Sequence, residues 1–341
     1  MSTAVAVVLL LAVLAYAVFA GADFGAGLWD LSAGGPERGA RPRAAVDASI
    51  GPVWEANHVW LIFIFVVLWT SFPEAYASIT LTMFVPLTIA ALGIVLRGAS
   101  FAFRKEVVRT RDRRTFGTAF AVSSILVPYC MGAIVGGIAS GRVPAGGRAG
   151  DPVHSWNNPT SILAGVLAVV VVGYLSAVYL VWDTRRVGDL ELAGYFRRRA
   201  IASAVAAGVL ALGGIAVLHA DAPYLFGELT SRALPLVLLS ALCGAGSLLL
   251  LVRDATHGAR VLAVAAVAAV VIGWGVAQWP YLLPTSLTVS AAASPSGTLT
   301  AVLVATGLAA VLVLPGLILL YVLAQRGLLP EEETAPANLP Q

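Results

Sequence analysis

The chain has 341 residues, of which 59% are hydrophobic and 11% are charged. A soluble domain carries about 25% charged residues, so this composition excludes an ordinary soluble protein and places the chain in a lipid bilayer. The two cysteines both lie in apolar segments, which excludes a disulfide framework or a cysteine-based metal cluster, and the net charge of +3 gives no indication of nucleic-acid binding.

Windows of about 20 apolar residues mark membrane-spanning helices. The predicted spans are roughly 3–29, 54–75, 77–97, 117–139, 160–182, 200–219, 233–252, 261–280 and 299–324. No basic residue precedes the first apolar run, so it is predicted to be a span and not a cleaved signal peptide. The fold class predicted is an all-α, polytopic integral membrane protein with nine transmembrane helices. One transmembrane domain covers 1–329, and an acidic, disordered cytoplasmic tail covers 330–341.

The distribution of arginine and lysine predicts the orientation. The segments after the first, third, fifth and seventh spans, together with the tail, carry 18 of the 21 basic residues. The opposite side has only Arg142, Arg148 and Arg232. Because basic residues concentrate on the cytoplasmic side, the N-terminus is predicted to be outside and the C-terminus in the cytoplasm.

The connections between spans have distinct compositions. Residues 31–49 are predicted to be a short cytoplasmic loop, and 141–159, rich in Gly and Pro, an external lid or subunit contact. Residues 280–299 are predicted to be an irregular external connection. Pro315 is expected to kink the last helix.

The end of the first span reads Gly-Ala-Asp-Phe-Gly-Ala-Gly. Gly21, Gly25 and Gly27 thin one side of the helix and predict close packing of another backbone. Asp23 lies among them, in the cytoplasmic half of the span. An intramembrane aspartate is costly, so Asp23 is expected either to be paired or to be functional.

The second span begins with ionisable groups. Glu55 and His58 are three residues apart, on one helix face, between Trp54 and Trp60. Glu55 lies near a helix N-terminus, which favours its charged form, while burial favours its neutral form. His58 is interpreted as either a proton relay or a hydrogen-bonded neighbour of Glu55.

Arg97 ends the third span and opens a basic run that reaches Arg114. Most of this run is expected to be a solvated face meeting anionic lipid. Arg97 differs, because from the helix end its side chain can turn inward to a carboxylate.

The sequence contains no P-loop, HExxH or CxxC motif, and its four histidines are scattered. No His–His or His–Met pair is expected to meet across neighbouring helices. The chain is therefore expected to bind no metal and no haem by itself, and any redox chemistry is expected on a partner.

Several segments, taken together, resemble subunit II of the cytochrome bd-type quinol oxidases. The supporting segments occur in the family's order over most of the chain, and the helix-two motif is the most specific. They are GADFGAGL (21–28), PVWEANHVWL (52–61), FPEAYA (72–77), Leu96-Arg97-Gly98, NPTSILAGVL (158–167) and PYLLPTS (280–286).

The resemblance implies a multi-pass subunit of the bacterial cytoplasmic membrane that belongs to a respiratory-chain oxidoreductase. It would bind no cofactor and would pair with a subunit I that carries haem b and haem d, oxidises quinol and reduces oxygen to water. Small single-helix subunits, membrane lipids and a structural quinone are further partners that the resemblance leaves open. This subunit would line a cytoplasmic proton path to the oxygen-reducing site.

Carried over by position, Asp23 and Glu55 resemble the acids of that proton path, and Trp54, Asn57 and Arg97 their supporting shell. There are three departures from the family pattern. Ala20 stands where an aspartate is usual, Glu55 replaces an aspartate, and His58 replaces a Gln or Glu, so that His58 is expected to share in the relay.

Two alternatives remain open. The chain could be a purely structural scaffold of the same complex that holds quinone or lipid, with Asp23 and Glu55 serving only as buried pair partners. It could instead be a stand-alone secondary transporter, although the odd number of spans and the lack of an inverted repeat count against this.

Overall fold

The computed structural model describes residues 1–35, 37–50, 54–106 and 110–325. For residue 50, 54–57, 101–102, 104–106, 110–115, 321 and 324–325 it describes the backbone alone. The predicted tail, 330–341, lies outside the described residues. Within them, seven helices are long and apolar enough to cross a membrane, or eight if one bent pair is a single span.

Helices make up almost all of the described structure. In chain order they are α1 (Ser2–Leu31), α2 (Ala40–Ile50), α3 (Trp54–Ser71), α4 (Pro73–Thr82), α5 (Phe84–Glu106), α6 (Thr110–Ala139), α7 (Pro159–Arg186), α8 (Leu190–Asp221), α9 (Pro223–Thr230), α10 (Leu234–Val252), α11 (Ala259–Gln278) and α12 (Ser296–Gln325). The all-α, polytopic architecture predicted from composition is confirmed. The apolar described part of α3, His58–Ser71, is shorter than the other spans, so a total of nine stays a prediction.

The predicted third span is not one straight helix. It is divided into α4 and the apolar part of α5, which meet at Met83 with a bend of 84°. Pro86 explains the break, because it has no backbone N–H to donate to the Thr82 carbonyl one turn earlier. In the structure, Pro86 falls in the first turn of α5, where proline is tolerated.

The segment 31–49 is not simply a loop, because α2 forms within it. Alanine and arginine are strong helix formers, and Pro42 falls in the first turn, where its missing N–H costs nothing. The helix is anchored to the end of α1, since Arg43 Nε lies 2.9 Å from Asp30 Oδ1.

The connections predicted to be external are ordered. The segment before α12 contains a two-stranded antiparallel hairpin, β1 (Tyr281–Leu283) and β2 (Leu287–Thr288), and is therefore less irregular than predicted. Ser294 ties this segment to the end of α3, where its N–H and hydroxyl donate to the Ser71 and Thr70 carbonyls. The last helix runs continuously through Pro315.

The loop predicted as a lid or subunit contact is fastened along one face of α4. The backbone N–H groups of Gly146, Gly147 and Gly150 donate to three side chains spaced four residues apart, at 2.7, 3.1 and 2.9 Å. The acceptors are Glu74, Ser78 and Thr82. These contacts hold the loop against α4, the first helix of the sharply bent pair.

Polar contacts join the predicted cytoplasmic segments at one end of the bundle. Arg41 of α2 lies 2.9 Å from Asp189 and 2.8 Å from Glu191, before and within α8. Arg185 at the end of α7 pairs with Asp254, after α10. The segments following the first, fifth and seventh spans therefore meet at the same end, as the predicted topology requires; which end faces the cytoplasm stays a prediction.

Candidate buried acid site

Around Asp23, α1 packs closely against both α7 and α6. A Cβ on Gly25 would lie 1.9 Å from the Val172 carbonyl oxygen of α7, and one on Gly27 would lie 2.1 Å from Ser124 Oγ of α6. The close packing predicted from these two glycines is confirmed. Asp23 lies two residues before Gly25 in the sequence and is 4% exposed.

Arg97 is the charged partner of Asp23. Its Nη2 lies 2.6 Å from Asp23 Oδ1 and 3.0 Å from the Asp23 carbonyl oxygen. Arg97 is 3% exposed, so both charges of the pair are buried. Of the two alternatives predicted for Arg97, the structure shows the side chain turned inward.

The rest of the guanidinium is held by α6. Arg97 Nη1 donates to Ser124 Oγ at 2.7 Å, and the Ser124 hydroxyl donates in turn to the Phe120 carbonyl oxygen at 2.6 Å. The Arg97 guanidinium carbon lies 4.4 Å from the centre of the Phe120 ring and 4.8 Å from that of Phe24. Cation–π contact of this kind stabilises a desolvated guanidinium without neutralising it.

The two carboxylate oxygens of Asp23 have different environments. Oδ1 accepts from Arg97, whereas Oδ2 is buried and has no hydrogen-bond partner among the described residues. A buried carboxylate oxygen in a membrane protein requires compensation. Asp23 is thus anchored on one side and open to a proton or a water molecule on the other.

His58 contacts Phe24, the residue that follows Asp23 in α1. The His58 and Phe24 rings meet edge to face, with centres 5.9 Å apart. Phe24 is therefore in contact with both the His58 ring and the Arg97 guanidinium. This arrangement brings the first turns of α3 next to the buried pair.

The remaining predicted site residues lie at the start of α3. The backbone of Trp54, Glu55 and Asn57 is helical, but their side chains lie outside the described part of the structure. Their expected roles in the proton path and its supporting shell stay predictions. Ala20 is 1% exposed and packs in an apolar cluster with Phe24, so this chain has no acid there.

Three residues that contact Arg97 were not predicted as site residues from the sequence. They are Ser124, Phe24 and Phe120. A serine in an apolar span was the available signal for Ser124, because such a hydroxyl needs a hydrogen-bond partner. The aromatic contacts depend on the approach of α1, α5 and α6 and carry no local sequence signal.

A cavity of about 320 Å³ lies apart from these residues. Its lining comes from α3, α4, α5 and α6 and is apolar except for Thr80 and Thr88. Neither Asp23, His58 nor Arg97 lines it. Across the described residues, no three His, Cys, Asp or Glu side chains come together as a metal site.

A comparison with known families agrees with this architecture over nearly the whole chain. The model of the family described as "Cytochrome bd terminal oxidase subunit II" matches residues 1–324. The chain belongs to this family. The resemblance drawn from the sequence motifs is confirmed, and this subunit II is a multi-pass protein of the bacterial cytoplasmic membrane.

Individual relatives are more distant. "Cytochrome bd ubiquinol oxidase subunit 2" of Bacillus subtilis (strain 168) is 26% identical over 224 residues, covering 65% of this chain and 64% of that protein. "Cytochrome bd-I ubiquinol oxidase subunit 2" of Escherichia coli (strain K12) is 28% identical over 212 residues, covering 60% and 54%. The matched region thus spans between about half and two thirds of the length of these curated relatives.

A solved structure shares the fold. The chain matches a chain of the structure described as "The structure of bd oxidase from Geobacillus thermodenitrificans" with a TM-score of 0.73 and 24% identity. The match covers 94% of this subunit II and 97% of that chain.

Proposed function

We propose that this chain is the haem-free subunit II of a cytochrome bd-type quinol:oxygen oxidoreductase. It pairs with a subunit I that carries the haems, oxidises quinol and reduces oxygen to water. Membership of the family supports this proposal, as do the names of the two relatives, both of which are described as ubiquinol oxidase subunits. Family membership favours this function over that of a stand-alone transporter.

The proposal includes a role in proton supply. Reduction of oxygen to water consumes protons, and a route from the cytoplasm needs groups that can accept and release them within the membrane. The observation that carries this role is the uneven environment of Asp23, with Oδ1 held by Arg97 and Oδ2 buried without a donor among the described residues. Oδ2 is the atom at which Asp23 can accept a proton or bind a water.

His58 and Glu55 are proposed to feed this atom from the cytoplasmic end of α3. The contact between the His58 ring and Phe24, the residue next to Asp23, supports the proximity of the two elements. A histidine changes its charge near neutral pH and is therefore suited to passing protons between water and a buried acid.

A second function, that of a scaffold, is favoured by a different observation. Asp23 and Arg97 form a buried pair, and removing one partner would leave an uncompensated buried charge whether or not protons pass. In this version Asp23 only neutralises Arg97. The apolar cavity between α3 and α5 is chemically suited to the tail of a structural quinone or to a lipid acyl chain.

The oxidase assignment is tested by purification. The chain is tagged, isolated gently from its native membrane, and studied by gel electrophoresis and by a reduced-minus-oxidised visible spectrum. A second large membrane subunit with b- and d-type haem bands is expected. A colourless preparation of this chain alone would overturn the assignment.

The two roles of the acids are separated by comparing turnover with assembly. Glu55→Gln and His58→Ala are expected to lower quinol-driven oxygen consumption while haem content per complex is kept. The control is Glu37→Gln, since Glu37 is an exposed acid between α1 and α2. A loss of haem content with normal turnover per haem would instead support the scaffold.

A further inference from the structure

A second buried polar atom on α1 is left unexplained by the pair of Asp23 with Arg97. The Tyr16 hydroxyl is buried and, like Asp23 Oδ2, has no hydrogen-bond partner among the residues that the structure describes. A phenol hydroxyl can donate one hydrogen bond and accept another, whereas a carboxylate oxygen accepts. Two such atoms on one helix call for a shared explanation.

The helical repeat places the two residues on the same face. Tyr16 precedes Asp23 by seven residues, which is close to two turns and about 10 Å along the helix axis. Ala20 lies between them on this face and is 1% exposed. Tyr16 packs against the apolar cluster that contains Ala20 and Phe24.

Tyr16 is also within electrostatic reach of the buried pair. Among the described residues, the charges of Asp23 and Arg97 lie near enough to influence the buried Tyr16 hydroxyl. Tyr16 precedes Asp23 in α1 (Ser2–Leu31) and lies nearer the middle of that helix. A step from Asp23 to Tyr16 therefore leads from the predicted cytoplasmic half toward the membrane centre.

We propose that internal water links Asp23 Oδ2 to the Tyr16 hydroxyl, and that Tyr16 is a positioning residue of the proton route. This inference rests on the proposed proton-supplying function. Tyr16 would continue the polar connection past Ala20, where the side chain offers no hydrogen-bonding group. Water is the suitable bridge, because each molecule forms two to four hydrogen bonds to groups that are otherwise unsatisfied.

The transfer step balances without any further reactant. A proton that leaves Asp23 Oδ2 passes to a linking water, which releases one of its own protons to the Tyr16 oxygen. The hydroxyl releases its original proton to the next water. The linking water and Tyr16 regain their starting protonation, Asp23 is left as the carboxylate, and the next water carries the transferred proton onward.

The test uses the assembled complex and the variant Tyr16→Phe, which keeps the ring and removes only the hydroxyl. Turnover per haem is expected to fall roughly tenfold, which is equivalent to about 1.4 kcal/mol of barrier. The pH profile of turnover is expected to shift, because delivery of protons becomes slower. The control is Tyr174→Phe. Tyr174 of α7 lies outside the Asp23 site, and its hydroxyl donates to Ser247 Oγ of α10 at 2.5 Å.

A thermal measurement distinguishes a bridged hydroxyl from a dry one. Removal of a dry, unpaired hydroxyl should leave the melting temperature of the complex unchanged or raise it, whereas loss of a water-bridged hydroxyl should lower it. Wild-type turnover and pH profile in Tyr16→Phe, or an unchanged or raised melting temperature, would overturn the inference. If wild-type complex lacks haem or oxidase activity, the proposed function itself fails; if Asp23→Asn lowers turnover and Tyr16→Phe does not, only the role of Tyr16 fails.

Discussion

The Arg97 guanidinium lies 2.6 Å from the Asp23 carboxylate, although 74 residues separate them in the sequence. The side chains of both are nearly inaccessible to solvent, at 3% and 2%. The pair joins α5 to α1, and Ser124 extends the connection to α6. Each of the three helices thus contributes a polar group to one buried site.

Removing one charge of this pair should destabilise the complex more than removing both charges. Asp23→Asn or Arg97→Gln leaves one buried charge unpaired and is expected to cost about 3–5 kcal/mol, whereas the double variant should cost less than the sum. Melting temperature and yield of the complex measure this. The control, Arg41→Ala, removes two exposed ion pairs and should have a much smaller effect. Additive losses in the double variant would contradict the prediction.

The packing of α1 against α7 should not tolerate a methyl group at position 25. In Gly25→Ala the new Cβ would meet the Val172 carbonyl oxygen at 1.9 Å, and backbone cannot move aside as a side chain does. The expected cost is about 1–3 kcal/mol, with reduced assembly. Gly208→Ala on α8 is the matched control, because nothing lies within 4 Å of its Cβ. Equal assembly of the two variants would show that α1 and α7 do not pack this closely.

The 141–159 loop should keep its closed position only while Asp221 is present. This carboxylate accepts from Arg142, at 2.5 and 3.2 Å, and from the Thr160 N–H and hydroxyl, at 3.1 and 2.6 Å. Asp221→Ala is expected to open the loop and to increase its cleavage by protease roughly tenfold, which corresponds to about 1.4 kcal/mol. Arg148→Ala, an exposed change on the same loop, is the control. Unchanged cleavage in Asp221→Ala would exclude the clamp.

Lowering the pH should destabilise the contact between α2 and α8, because Asp189 becomes protonated. The Leu192 backbone N–H, 3.0 Å away, and then Arg41 lower the pKa of Asp189 below its ordinary value. The stabilisation is therefore fully present above the ordinary value of about 4 and is lost as pH falls through the lower pKa of the folded state. Melting curves of the complex at decreasing pH test this.

The variant Asp189→Asn keeps an N-capping side chain but cannot titrate. Its melting temperature is expected to fall less than that of the wild type between pH 6 and roughly 3. The same pH dependence in both proteins would show that Asp189 does not contribute to the loss.

Several features of this protein follow from the sequence alone, because they depend on composition and local pattern. A bilayer requires apolar helices, so hydropathy predicts the all-α membrane class and the approximate spans. The cost of an acid in lipid singles out Asp23 without any structure. Motif order predicts the family, and the family match confirms it.

Other features were decided only by the tertiary structure. Pro86 permits a break in the third span, but only the structure shows the 84° bend at Met83 and the 141–159 loop hydrogen-bonded along α4. Arg97 could equally have reached solvent. It turns inward because Gly25 and Gly27 let α1 lie close enough to α6 and α7 for Asp23, Ser124 and two aromatic rings to surround one guanidinium.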